Sequence, residues 1–503
     1  RSAAMEAIQE FLGHCDELAG YTVVRVPALE NAVTSLGEMS GFEADKLKTL
    51  LVLLLAYPLS LIHVNLGSNT VKHLFSACTG IFLAQFVFGS AWIHSFISAM
   101  VVYVCMLALP RRSMPVVVFV FTMLYLTLSH LYRVWVDYMG WTLDHTGPQM
   151  ILTIKLSALA YDLYDGTVDK VEGYADVTKL TPRDAAVRKA RRSRSISETP
   201  SLLAFLGYVY HFGSFFAGPA FFYRHYIDSV TGAAYVGSDG KRLPNGAMPG
   251  GRLAVAAKCF LVSVVCMAVF VVVTPHFDSS TLHTEERLSM PILSYAAYSW
   301  VSLIVLRTKY YFGWLMAEGA CVLGGIGFRG YDAKTGAPRW DAVNNIDILG
   351  FELAPSVREL ARAWNRLTQQ WLQFYVYERV PAQKLVVTYF VSAFWHGFYP
   401  GYYLFFLSVV IPQEAGRLTF RKIWPHFDPK QNGSLVMLKP VYDVLCVVTT
   451  SMGINYLVTS FVSLSLERAI SIWSRYFFIF HIIYVLAYVI LSAVPSKRKP
   501  KQT

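Results

Sequence analysis

Leu47 to Leu66 reads L-K-T-L-L-V-L-L-L-A-Y-P-L-S-L-I-H-V-N-L, with Lys48 its only charged side chain among Asp, Glu, Lys and Arg. A run of this kind matches the roughly 20 apolar residues that cross about 30 Å of hydrocarbon. It is too long for the apolar core of a cleavable leader, so it is expected to stay as an anchor. The pattern recurs at Leu74 to Ser90, Ala91 to Leu109, Met114 to Leu131, Ser201 to Tyr223, Leu253 to Thr274, Pro291 to Ala317, Lys384 to Ile411, Val441 to Val462 and Trp473 to Val494. About nine to twelve transmembrane or re-entrant segments are therefore expected. Composition agrees: 54% of residues are hydrophobic and 15% charged, against about 45–50% and about 25% in soluble domains. In lipid every backbone amide must find an internal partner, which leaves helices or closed barrels. Strand-length alternation is missing, which argues against a barrel. The fold class read here is an all-α polytopic membrane protein. Residues 1–46 form a polar N-terminal segment, 47–495 one membrane-embedded domain, and 496–503 a basic tail.

The net charge is +11, and its placement is informative. Arg183, Arg188, Lys189, Arg191, Arg192 and Arg194 crowd a polar stretch read as a loop over 166–200, and the tail reads Ser496-Lys-Arg-Lys-Pro-Lys-Gln-Thr503. Both are expected on the cytosolic side, where basic flanks accumulate and meet anionic membrane lipids. A nucleic-acid site would need a folded reading element, and the sequence offers none. Lys499 and Lys501 resemble a dilysine retrieval signal of endoplasmic reticulum membrane proteins. The seven cysteines and thirteen histidines show no ligand spacing, so no metal is expected. No internal repeat or pair of related halves supports a channel or carrier. Gly232 to Gly251 and Gly330 to Asp347 are read as loops, too short for separate domains.

Two stretches carry candidate chemistry. Ser392 to Gly401 reads S-A-F-W-H-G-F-Y-P-G and sets His396 inside an apolar run. An ionisable side chain there is a functional candidate by default, and imidazole exchanges protons near neutral pH. Upstream, Pro355-Ser356-Val357-Arg358-Glu359 is a capping-box start. Val357, Leu360, Trp364, Leu367, Thr368, Trp371 and Tyr375 then recur at three and four, opposite Arg358, Arg362, Asn365, Arg366, Gln369 and Gln373. The spacing predicts one amphipathic helix from Ser356 to Pro381.

Four ordered segments resemble the membrane-bound O-acyltransferases, and among them the lysophospholipid acyltransferases. They are Lys155-Leu-Ser-Ala-Leu-Ala-Tyr-Asp-Leu-Tyr-Asp-Gly166, Gly207-Tyr-Val-Tyr-His-Phe-Gly-Ser-Phe-Phe-Ala-Gly-Pro219, Lys309-Tyr-Tyr-Phe-Gly-Trp-Leu-Met-Ala-Glu-Gly319, and Phe351-Glu-Leu-Ala through Trp364-Asn-Arg-Leu-Thr-Gln-Gln-Trp371 with Phe394-Trp-His-Gly397. The resemblance implies helices around an intramembrane reaction chamber, with His396 and Asn365 as the catalytic positions. It implies acyl-CoA as co-substrate, no bound cofactor, and a lysophospholipid as acceptor. A sterol, diacylglycerol or protein acceptor is the alternative within the superfamily. Trp364, Thr368, Trp371 and Trp395 are expected to pack around the two catalytic groups. Arg362, with Arg358 and Arg366, is a candidate for the coenzyme A phosphates. Glu318 is weighed as a substrate contact against a partner for Lys309 or Arg307. The headgroup, the preferred acyl chain and the oligomeric state, a homo-oligomer among the options, stay open.

Overall fold

The computed structural model describes residues 26–41, 43–140, 143–171, 181–244, 247–431 and 433–495, with parts of the first fourteen. The basic tail with Lys499 and Lys501 lies outside the described residues. Among those described there is no strand, only the isolated bridges Val236 with Arg242 and Tyr331 with Pro338.

Among the described residues five helical stretches are long and apolar enough to cross a membrane: Ala44–Asn65, Asn69–Ala108, Met114–Val136, Arg252–Val273 and Val436–Ser463. Leu466–Arg475 and Ile479–Ala493, bent by 78° at their junction, make a sixth if the pair is one span. This is fewer than the apolar blocks suggest, because several blocks break. Ser201 to Tyr223 holds only a short helix, Leu202–Val209, before irregular backbone takes over. Lys384 to Ile411 divides into Lys384–His396 and Pro400–Lys422. The 32-residue helix Ile292–Leu323 carries Arg307, Lys309 and Glu318 along its length.

The chain forms two compact units, Arg1–Val264 with Phe312–Asn345, and Val265–Tyr311 with Ile346–Thr503. In the first, Val52, Ala56, Leu83, Val87, Phe212 and Ala320 make a closed apolar core. Its irregular stretch from Tyr210 to Phe222 is almost wholly buried, the setting in which non-helical backbone survives in an apolar environment. Lys155, itself fully buried, holds it by donating from Nζ to the carbonyls of Tyr208 at 2.6 Å and Val209 at 3.4 Å and to Ser214 Oγ at 3.2 Å. An ammonium has three protons, and each finds an acceptor.

The stretch read as a basic loop over 166–200 is not all loop. Thr146–Val171 runs into it, and Pro182–Arg192 is a helix of its own. Thr181 caps that helix by accepting from Asp184 N, Pro182 opens it, and Lys189, Arg191 and Arg192 fall in its last turn, where positive charge complements the helix dipole.

Candidate active site

Asn365 and His396 both belong to the Val265–Tyr311 and Ile346–Thr503 unit, and each stands where a helix breaks. Ser356 opens the first helix as the sequence suggests, its hydroxyl accepting from Glu359 N at 3.3 Å. The helix does not continue to Pro381. It covers Val357–Ala363, stops at an extended Trp364, and resumes as Arg366–Trp371 after Asn365, whose φ of 41° and ψ of 55° are left-handed. A π-helical turn, Leu372–Tyr377, follows.

Tertiary contacts cause the break. Ala363 O accepts from Asp347 N at 3.0 Å. Trp364 packs on Phe351 at 4.9 Å and on Tyr310 and Tyr311 at 6.0 Å between ring centroids. Asparagine is among the few residues other than glycine that tolerate the left-handed region. The apolar stripe survives: Val357, Leu360, Leu367, Thr368, Trp371 and Tyr375 are buried and Trp364 half-buried. Asn365 is half-buried at the N-cap, yet its side chain makes no capping bond to the helix it begins.

His396 is the last residue of Lys384–His396, and Gly397 ends the helix with a φ of 120° that side chains rarely adopt. Pro400 then starts the next helix at its first position, where a missing N–H costs nothing. The imidazole is half-buried in an aromatic cage, stacked on Phe406 at 5.2 Å and 25°, edge-on to Phe461 at 5.1 Å, with Tyr402 at 5.8 Å. Gly401 anchors the cage floor: its N–H donates to Leu464 O at 2.7 Å, and a Cβ there would sit 2.9 Å from that same oxygen. Trp371 and Trp395 meet at 6.2 Å, so the helix that Asn365 starts packs on the residue next to His396.

The profile of the membrane-bound O-acyltransferase family matches residues 131–459, a stretch that contains both breaks. The chain belongs to this family. It is 33% identical over 448 residues to membrane-bound glycerophospholipid O-acyltransferase 2 of Rattus norvegicus, covering 87% of this chain and 82% of that protein. Lysophospholipid acyltransferase 6 of Drosophila melanogaster is 31% identical over 472 residues, 91% of this chain and 63% of the fly protein. A lysophospholipid acyltransferase of Schizosaccharomyces pombe is 31% identical over 469 residues, 90% and 87%.

Other expected site residues of this acyltransferase fall in different places. Trp371, Trp395 and Thr368 are buried beside the two breaks, while Trp364 faces Tyr310, Tyr311 and Phe351. Arg358 and Arg362 are exposed and Arg366 half-buried. Glu318 belongs to the other unit, where it accepts from Asn344 Nδ2 at 2.9 and 3.1 Å and from Asn345 N at 3.2 Å. Arg307 is taken up by Glu352 and Asn455. Among the described residues no group of three His, Cys, Asp or Glu could hold a metal ion. Sequence reading passed over the Arg307 and Glu352 pair; a full charge inside the apolar block Pro291 to Ala317 was the available signal.

Proposed function

We propose that this chain transfers a long-chain fatty acyl group from acyl-CoA to the free hydroxyl of a lysophospholipid, with His396 as general base and Asn365 as the donor to the developing oxyanion. The observation that carries the reading is that Asn365 and His396 stand at two helix breaks of one unit, where the helix begun by Asn365 packs its Trp371 on Trp395, inside the region matched by the family. The names of the relatives above support the acceptor class.

The glycerol hydroxyl is a poor nucleophile until it loses its proton. His396 takes that proton as the oxygen attacks the thioester carbon, a contribution of typically 10²–10⁴-fold. Negative charge gathers on the carbonyl oxygen, and the Asn365 amide donates to it, a contact worth roughly 3–4 kcal/mol when removed. The thioester C–S bond breaks and coenzyme A leaves as thiolate, so no acyl-enzyme is required. The aromatic cage excludes water that would otherwise compete as acceptor. Arg358, Arg362 and Arg366 meet the phosphates of coenzyme A, whose anionic head stays in water while the acyl tail and lysolipid enter the bilayer. The protein resides in the endoplasmic reticulum membrane with its C-terminus in the cytosol.

The test is transfer from radiolabelled oleoyl-CoA to lysophosphatidylcholine, lysophosphatidylethanolamine, lysophosphatidylserine and lysophosphatidylinositol in microsomes, wild type against His396→Ala at matched expression. Product with wild type alone is expected, and it names the headgroup. Equal product in both overturns the role of His396. No product with any of the four moves the acceptor to a sterol, diacylglycerol or protein.

A further inference from the structure

Arg307 is 8% exposed in the middle of Ile292–Leu323. Its Nε and Nη2 donate to Glu352 Oε1 and Oε2 at 2.9 and 2.8 Å, a two-pronged fork, and Nη1 donates to Asn455 Oδ1 at 2.7 Å. Tyr311, one helical turn on, donates its hydroxyl to the same Oε1 at 2.6 Å. Asn455 is steadied in turn by donating to Ser451 O at 2.8 Å. Side chains from Ile292–Leu323, Ile348–Glu352 and Lys439–Ser463 thus share one polar knot.

Both arms of the knot lead to the turn before Asn365. Glu352 closes the short helix Ile348–Glu352, whose N-cap Asp347 accepts from Gly350 N at 3.0 Å and donates its own N–H to Ala363 O at 3.0 Å. Phe351 lies under the Arg307 guanidinium at 5.3 Å and against Trp364 at 4.9 Å. Tyr311 also reaches Trp364, its ring 6.0 Å from the indole. Ala363 and Trp364 immediately precede the left-handed Asn365, whose carbonyl accepts from Gln369 N at 2.9 Å while its side chain makes no capping bond.

We infer that Arg307, Glu352 and Tyr311 are positioning residues for Asn365: the fork fixes Phe351 and Tyr311 against Trp364, and so aims the Asn365 amide. The inference rests on the oxyanion role given to Asn365 above. Buried ion pairs are often no better for stability than apolar side chains of like volume. What a bidentate fork adds is a single orientation.

The experiment uses purified full-length protein in lipid nanodiscs, oleoyl-CoA, and the lysophospholipid of the four that the wild type acylates best. It compares Glu352→Gln, Tyr311→Phe, the charge-free pair Arg307→Met with Glu352→Leu, and Asn365→Ala for kcat, both KM values and unfolding temperature. Glu352→Gln is expected to lower kcat roughly ten- to hundredfold, the scale of a misplacement of about 1 Å, with both KM values little changed. Tyr311→Phe is expected to give a smaller fall of the same kind. The charge-free pair is expected to regain the unfolding temperature but not kcat, and it decides the matter if Glu352→Gln does not fold. Recovery of kcat together with stability in that pair overturns the positioning role. So does a Glu352→Gln enzyme with raised KM and intact kcat. Wild-type kcat in Asn365→Ala overturns the oxyanion reading itself, a different failure that is seen independently.

Discussion

The two helix breaks that carry Asn365 and His396 differ in what makes them. At His396 the break is written locally: Gly397 adopts a φ of 120° and Pro400 restarts the helix three residues later. At Asn365 the neighbouring sequence favours continuation, with leucines and arginines on both sides and glutamines after it, and the break depends on Asp347, Phe351 and Tyr311 from outside the helix. One break is a property of its own segment; the other is imposed by the fold. The first should tolerate disturbance elsewhere, and the second should not.

The largest effect expected is from His396→Ala, a fall of roughly 10²–10⁴-fold in kcat with the unfolding temperature retained, read by acyl transfer in purified protein. Asn365→Asp and Asn365→Gly come next. Both residues accept the left-handed backbone, and both lose the amide donor, so kcat should drop roughly 10²–10³-fold at near-native stability. Asn365→Ala should add a backbone cost of about 1–2 kcal/mol that the other two avoid, seen as a lower denaturation midpoint. Gly397→Ala forces a side chain into a region nearly reserved for glycine, at a cost of about 1–3 kcal/mol, and should lower kcat by shifting the His396 ring within its cage. Ser356→Ala is the smallest: loss of the cap should cost about 1 kcal/mol, measured by thermal unfolding, with kcat nearly unchanged. Were Ser356→Ala to lower kcat as much as Asn365→Asp, the contrast between a fold-imposed and a locally encoded break would fail.

The contrast also explains what could be read in advance. The membrane class followed from runs such as Leu47 to Leu66, because length and apolarity answer to one number, the thickness of hydrocarbon. The apolar stripe from Val357 to Tyr375 is legible because side-chain periodicity outlasts a single irregular residue. The break within that stripe is not, because nothing near Asn365 reports that Asp347 will take the Ala363 carbonyl. Helix ends inside Ser201 to Tyr223 were hidden for a related reason: Lys155, far away in sequence, satisfies the Tyr208 and Val209 carbonyls that would otherwise demand another turn. Glu352 lies in the apolar run Ile348-Leu-Gly-Phe-Glu-Leu-Ala354, and its partner stays hidden until Arg307 is found opposite it.

The most direct test of the central claim is the steady-state kinetics of Asn365→Gly in purified full-length protein, with oleoyl-CoA and the best lysophospholipid acceptor, beside its unfolding temperature. The substitution keeps the left-handed turn and removes only the amide. Native-like unfolding, KM values close to wild type and a kcat lower by roughly 10²–10³-fold are expected. A wild-type kcat in a normally folded Asn365→Gly protein would contradict that claim.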